Sequence, residues 1–295
     1  MRDDASSFTA AWVAACRGAS DLLPEDARLV EDAYGLAFAG PIYERVARVG
    51  RAAPALTRSV LPFTGPLIQS MLWMQLRTRA LDDHLRAFVA AGGAAVVLLG
   101  AGLDARAHRL NLAGVRFFEV DHPATQRRKV EVVRHVHSGA AAANVTYLPW
   151  HFERQPLSEL PFALRSAGLA DGQAVFTIWE GVTMYLEEPV IDASVAAIRA
   201  YSPPGSALAL TYFDPENLLQ KSAWNHLVKT VVARAGEPFR FGWRTGTFEP
   251  WMAARGFTVE SDRTDVELSR ALMSGRYAPL LGKRGGHVAL VRPRG

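Results

Sequence analysis

The run Val96-Val97-Leu98-Leu99-Gly100-Ala101-Gly102 places an apolar, β-branched stretch directly before two glycines one residue apart. Glycine adopts backbone angles closed to other residues and lets a second molecule approach the main chain. In an open α/β sheet, the carboxyl end of a parallel strand is where ligands bind. About twenty residues on, Phe117-Phe118-Glu119-Val120 runs into Asp121, the distance at which such domains place a carboxylate for ribose hydroxyls. A further apolar run, Ala174–Trp179, ends in a second acid, Glu180. Strand, glycine turn, helix, strand and acid together imply a ligand containing adenosine.

Two adenosine ligands compete for this pattern. Gly100, Gly102 and Ala105 fit the looser dinucleotide fingerprint, which would make the chain a nicotinamide-dependent oxidoreductase. Against it, the motif begins about a hundred residues into the chain, behind a helical region. Asp104 also puts a negative charge where a pyrophosphate would lie, and Glu180 adds another. S-adenosylmethionine has no phosphate and carries a sulfonium cation, so acids suit it better.

Stepping outward to the elements, the first ninety residues read as helix. Leu81, Leu85, Phe88 and Val89 recur on one face, and Pro24, Pro41, Pro54, Pro62 and Pro66 break the region into pieces. After Gly92-Gly93 the pattern changes to strands expected at Ala95–Leu99, Val115–Val120, Val145–Leu148, Ala174–Trp179, Ser206–Phe213, Phe257–Glu260 and His287–Val291. Helices expected at Pro123–His137 and Pro189–Ala200 lie between them. The alternation implies an α/β fold of about seven mostly parallel strands with helices on both faces. We therefore expect residues 1–91 to form a helical cap and residues 92–295 a Rossmann-like core. Residues 214–247, with Trp224, His226, Phe239, Phe241 and Trp243, would be an insertion serving as a lid or substrate wall.

Composition excludes several classes. Of 295 residues, 49% are hydrophobic, enough for a real core. The single Cys16 rules out an internal disulfide or cysteine-based zinc site, and with an acidic, polar N-terminus it leads us to expect a cytoplasmic protein. Phe88 to Leu103 is the longest apolar stretch, but glycines interrupt it and it is too short to span a bilayer, so no membrane role is expected. The net charge of +4 comes from scattered arginines, which argues against nucleic acid. His135 and His137 point to different faces of a helix, so no metal site is expected.

The sequence also resembles a known family, the leucine carboxyl methyltransferase-like enzymes, above all their bacterial branch of polyketide and small-molecule O-methyltransferases. The resemblance rests on Leu99-Gly100-Ala101-Gly102-Leu103-Asp104-Ala105-Arg106-Ala107-His108-Arg109-Leu110, on Phe118-Glu119-Val120-Asp121-His122-Pro123 with Lys129, and on Trp179-Glu180-Gly181-Val182-Thr183-Met184-Tyr185-Leu186. Arg77-Thr78-Arg79-Ala80-Leu81-Asp82-Asp83 and His287-Val288-Ala289-Leu290 also fit. It implies a class I methyltransferase fold with S-adenosyl-L-methionine as cofactor and a small-molecule acceptor. By the same resemblance, Arg77 would pair with the methionyl carboxylate and Gly100, Ala101 and Gly102 would line the cofactor. Asp121 would hold the ribose, Glu180 and Gly181 would sit near the methionyl amine or sulfonium, and His151 with Phe152 would meet the adenine.

Two positions depart from the family pattern. Ala105 replaces a threonine in the turn, and His151 stands where an aspartate usually meets the adenine amino group. A neutral histidine can still accept there; a protonated one cannot. For the transfer itself the protein mainly supplies alignment and electrostatics. A carboxylate acceptor needs no base, whereas a phenol, with a pKa near 10, benefits from one. Tyr185, Tyr212 and His226 are the candidates for that role. A carboxylate of a secondary metabolite such as a polyketide is the expected acceptor, with a phenol, or a non-methylating descendant of the family, as the alternatives. Oligomeric state is not legible.

Overall fold

The computed structural model describes residues 8–136, 144–152, 154–218, 239–281 and 285–295. Its centre is a seven-stranded sheet: β1 (Ala95–Leu99), β2 (Arg116–Asp121), β3 (Val145–Pro149), β4 (Val175–Trp179), β5 (Ala207–Phe213), β6 (Phe257–Thr264) and β7 (Gly286–Pro293). The spatial order is β3-β2-β1-β4-β5-β7-β6. The first five strands pair in parallel and β7 runs antiparallel to β5 and β6. This is the expected Rossmann-like arrangement, and its strand order reverses between β1 and β4. That reversal point, at the carboxyl ends of β1 and β4, is where open α/β sheets bind ligands.

The period of two along each strand explains why both faces are covered. Val96, Leu98, Phe176, Ile178 and Leu290 point into one core, while Val97, Leu99, Val175 and Leu208 point into the other. Helix α5 (Pro66–Ala90) fills the first core through Leu72, Leu76, Leu81 and Leu85. Helix α9 (Glu188–Tyr201) fills the second through Ile191, Val195 and Ile198. The long lead-in helix therefore packs on the sheet itself, and the expected boundary at residue 91 separates it from strands it is buried against. Ahead of it, α1 (Phe8–Gly18), α2 (Gly35–Ala39), α3 (Pro41–Ala52) and α4 (Pro54–Val60) form the outer cap. Helices α1 and α2 cross where Gly18 and Gly35 leave no space for a Cβ, and they close with Leu103, Ala105 and Val133 a third apolar cluster over the glycine turn.

Helix α6 (Arg106–Arg109) follows that turn, and α7 (Pro123–Val136) follows β2. Short helices α8 (Leu160–Ser166), α10 (Pro215–Leu218), α11 (Phe248–Ala253), α12 (Asp265–Leu272) and α13 (Ala278–Leu281) are the remaining described α-helices. The expected β6 is four residues too short. Its second half is Ser261-Asp262-Arg263-Thr264, polar because this is an edge strand, with a bulge between Val259 and Ser261.

One buried ion pair ties β2 to α7. Lys129 Nζ lies 2.5 Å from Glu119 Oε2 and neither side chain reaches solvent. Burial pushes the Glu119 carboxyl up to about 7, with Lys129 pulling the other way. Losing one partner strands a charge in the core, so at pH 8 Lys129→Met should cost about 3–5 kcal/mol in urea unfolding, and adding Glu119→Gln should restore most of it. Because the folded value lies above the ordinary 4.5, the contribution of Glu119 is fully present below that pH and is lost as pH rises through 7. Wild type should therefore lose stability relative to Glu119→Gln over that range; parallel curves would show the carboxyl to be solvated.

Candidate functional site

The crevice is built from the ends of three neighbouring strands. Leaving β1, Gly100 turns at φ +68° and Gly102 at φ +47°, both in the left-handed region. A Cβ on Gly100 would sit 2.7 Å from Val182 Cγ2, so the turn after β1 and the loop after β4 meet only because that side chain is missing. At Gly102 such a Cβ would make ordinary van der Waals contact, with Ala10 Cβ at 3.8 Å and Asp121 Oδ2 at 3.9 Å. Ala101 is buried, and its N–H donates to Val120 O at 3.2 Å.

Asp121 ends β2 directly beside this turn. Its Oδ2 accepts from the Gly102 N–H, and its Oδ1 accepts from the His122 N–H at 2.5 Å. Burial raises its pKa, and these two amides oppose the rise. After β3, the His151 N–H donates to Gln155 Oε1 at 2.8 Å. The His151 ring stands edge-on to His122, 4.8 Å between centroids. Phe152 packs against the second core. Asp121, His122 and His151 thus form one wall.

Glu180 forms the opposite wall. Its Oε1 accepts from Arg77 Nε at 2.7 Å, reaching across from α5, and its Oε2 from Arg106 Nη1 at 2.5 Å. Burial alone would raise this carboxyl; Arg106 and Arg77 outweigh it and hold it below the ordinary carboxylate range. Arg77 uses only Nε in this pair. Its Nη groups make no hydrogen bond among the described residues, and Nη2 would lie 3.3 Å from a Cβ on Gly181. Gly181 itself turns at φ +71° and donates its N–H to Thr211 Oγ1 at 2.8 Å.

Beneath the crevice lies a charge network that the sequence reading missed. The Arg106 side chain is 1% exposed; its Nε donates to Asp82 Oδ1 at 2.8 Å, and Nη1 serves Asp104 as well as Glu180. Arg109 Nη1 holds the other Asp82 oxygen at 2.6 Å. Arg17 of α1 donates to Asp32 at 2.9 Å and to the Leu103 carbonyl at 2.7 Å, fastening the cap to the turn. Burial disfavours the Asp104 charge, yet Arg106 and Arg17 hold that carboxyl far below its usual range. Asp82, Asp104 and Arg106 all stood in the family-like segments, but nothing in their spacing marks an arginine as buried, since arginine is ordinarily exposed.

The candidate bases fare differently. Tyr185 follows Glu180 and stacks on Phe239 at 5.6 Å, with 15° between ring planes. Tyr212, expected near the cofactor, requires correction. Its ring lies between Phe248 and His287, at 4.7 and 4.4 Å, and its hydroxyl donates to Asp262 Oδ2 at 2.6 Å on the antiparallel side of the sheet. Burial, reinforced by Asp262, pushes its pKa far up. His226 and Trp224 fall outside the described residues. Of the expected insertion, Trp243 is core, edge-on to Phe241 and Trp251, while the Arg240 N–H donates to Met184 O at 2.7 Å and ties the segment to the loop after β4.

These residues fit S-adenosylmethionine. The glycine turn, the amide-lined carboxylate of Asp121 and the Nη groups of Arg77 have the chemistry that its adenosine, ribose and amino-acid ends would need. The model of the leucine carboxyl methyltransferase family matches residues 10–199. A Mycobacteroides abscessus protein assigned as an S-adenosyl-L-methionine-dependent methyltransferase is 30% identical over 273 residues, 89% of this chain and 85% of that one. A Streptomyces avermitilis protein with the same assignment is 38% identical over 139 residues. That match covers 46% of this chain and 47% of the relative, so the chain spans about half the length of this relative. Among solved structures, a Thermobifida fusca protein assigned as a methyltransferase shares the fold, with a TM-score of 0.55 and 14% identity over 93% of this chain and 96% of that one.

Asp121→Ala should weaken binding of S-adenosylhomocysteine by about 1–3 kcal/mol in titration calorimetry, the scale for losing charged hydrogen bonds. Unchanged affinity would remove Asp121 from the ribose. His151→Asp should bind the same ligand at least as tightly as wild type; a large loss would give the histidine a different task.

Proposed function

Because this chain belongs to the leucine carboxyl methyltransferase family and is an S-adenosylmethionine-dependent methyltransferase, we propose that it esterifies the carboxylate of a small molecule, of the kind found in polyketides. The observation that carries this reading is the withdrawal of Tyr212. With its hydroxyl committed to Asp262, Tyr185 is the one candidate base left at the crevice among the described residues. A tyrosine with a pKa near 10 is a poor base at neutral pH. A carboxylate is already nucleophilic there and gives up no proton.

When bound, S-adenosylmethionine supplies a methyl carbon activated by its sulfonium, which passes to an acceptor oxygen and leaves S-adenosylhomocysteine. The protein's own work is alignment. Arg77 would hold the methionyl carboxylate through its unused Nη groups, and Glu180 the amine. Asp121 would accept from the ribose hydroxyls once these displace the Gly102 amide. His151 and Phe152 would flank the adenine. The cap formed by α1 and α2 shields the glycine turn from water, which preserves the strength of these charges. Tyr185, Phe239 and Phe241 would wall the acceptor side.

The acceptor class is readable without knowing the acceptor. Methyl-labelled cofactor offered with a panel of carboxylic acids and phenols should give product whose label leaves as methanol in mild alkali. The rate should be flat between pH 6 and 9, and Tyr185→Phe should retain it within about twofold. A base-stable label, with a rate climbing about tenfold per pH unit as a phenol ionises, would overturn the carboxylate reading.

A further inference from the structure

Nine large apolar side chains stand exposed among the described residues, and seven of them fall between Ile42 and Leu67. Scattered singly, such residues need no explanation; gathered on one segment they mark a contact surface. On α3, Ile42, Val46 and Val49 follow one another at helical spacing and are 72%, 67% and 75% exposed, while Ala47 faces inward. Leu56 on α4 and Phe63 just beyond it continue the patch at 64% and 88%. Side chains that exposed project from the surface; they do not line a groove that a partner helix could enter.

The charges along the patch are predominantly basic. Residues 41–67 carry Arg45, Arg48, Arg51 and Arg58 against Glu44 alone, in a chain whose net charge is +4. Arg51 is neutralised by Asp21 at 2.6 Å, whereas Arg45 and Arg48 lie exposed beside the apolar stripe. Two such faces brought together in a symmetric dimer would oppose like charges. A projecting apolar stripe bordered by arginines is instead what lies flat in a bilayer interface, with apolar side chains among the acyl chains and guanidiniums among anionic headgroups. No described helix is long and apolar enough to cross a membrane, but resting on one is a different demand.

We propose that the α3–α4 face is a peripheral docking surface for an anionic lipid bilayer. It lies on the outer side of the cap whose inner helices cover the glycine turn. Tyr43 of α3 packs on Trp12 of α1, 6.3 Å between centroids, which joins α3 to the helix that packs over the glycine turn. The proposal is independent of the acceptor, because docking is read without turnover.

Flotation of the full chain with phosphatidylcholine vesicles, and with vesicles half phosphatidylglycerol, tests it. Partitioning to the anionic vesicles should exceed that to the neutral ones about tenfold and fall as salt is raised. Val46→Asp with Val49→Asp should reduce it about tenfold, as should Arg45→Glu with Arg48→Glu, while circular dichroism and S-adenosylhomocysteine binding stay at wild-type values. Absence of binding to either vesicle would overturn the proposal, as would undiminished binding by the variants. So would a wild-type dimer in sedimentation velocity that Val46→Asp dissociates, which would make the face a contact between copies.

Discussion

A single guanidinium holds the crevice in shape. Arg106, on the first turn of α6, meets Asp82 from α5, Asp104 from its own turn and Glu180 from the end of β4. Three elements far apart in sequence are thereby fixed at one point below the site. Buried charge is expensive unless it is fully paired, and here each acid has a partner: Arg109 takes the second oxygen of Asp82, and Arg77 that of Glu180. Geometry of this kind is worth little to bare stability. A shift of any one element would strand a buried charge.

That constraint explains how an outer cap can be part of the active layer. Arg17 reaches from α1 to the Leu103 carbonyl, and α1 packs with Leu103 and Ala105 on the outer side of the same turn whose other flank carries Arg106. The cap is thus held to the turn by a charged contact and an apolar one. Helices α3 and α4, turned away from this contact, keep few inward residues and carry apolar side chains on their outer face. The cap is two-sided, with a buried charged inner layer and an outer face that is both apolar and basic.

Much of this was legible in advance because it depends on local pattern. Seven strands, their near-correct bounds and the helices between them follow from alternation and period, which report which way successive side chains must point. The glycine turn and Asp121 were legible because close backbone approach and a carboxylate at fixed distance constrain residue type. The second half of β6 was hidden, since an edge strand carries polar residues that mimic a loop. Arg106 was hidden for the converse reason, a charged residue buried by partners whose positions no spacing rule contains.

The chain's order of residues was therefore enough to determine the layered α/β fold, the dependence on S-adenosylmethionine and the meeting of Gly102 with Asp121 at neighbouring strand ends. Each of these depends on short-range pattern or on strand ends that the fold class brings together. Only the tertiary structure decided that Tyr212 turns to Asp262 and away from the crevice, that Arg77 and Arg106 clasp one carboxylate, and that the apolar stripe of α3 is left uncovered. Those outcomes depend on which surfaces meet, and long-range packing between elements is the one physical quantity that a linear sequence does not display.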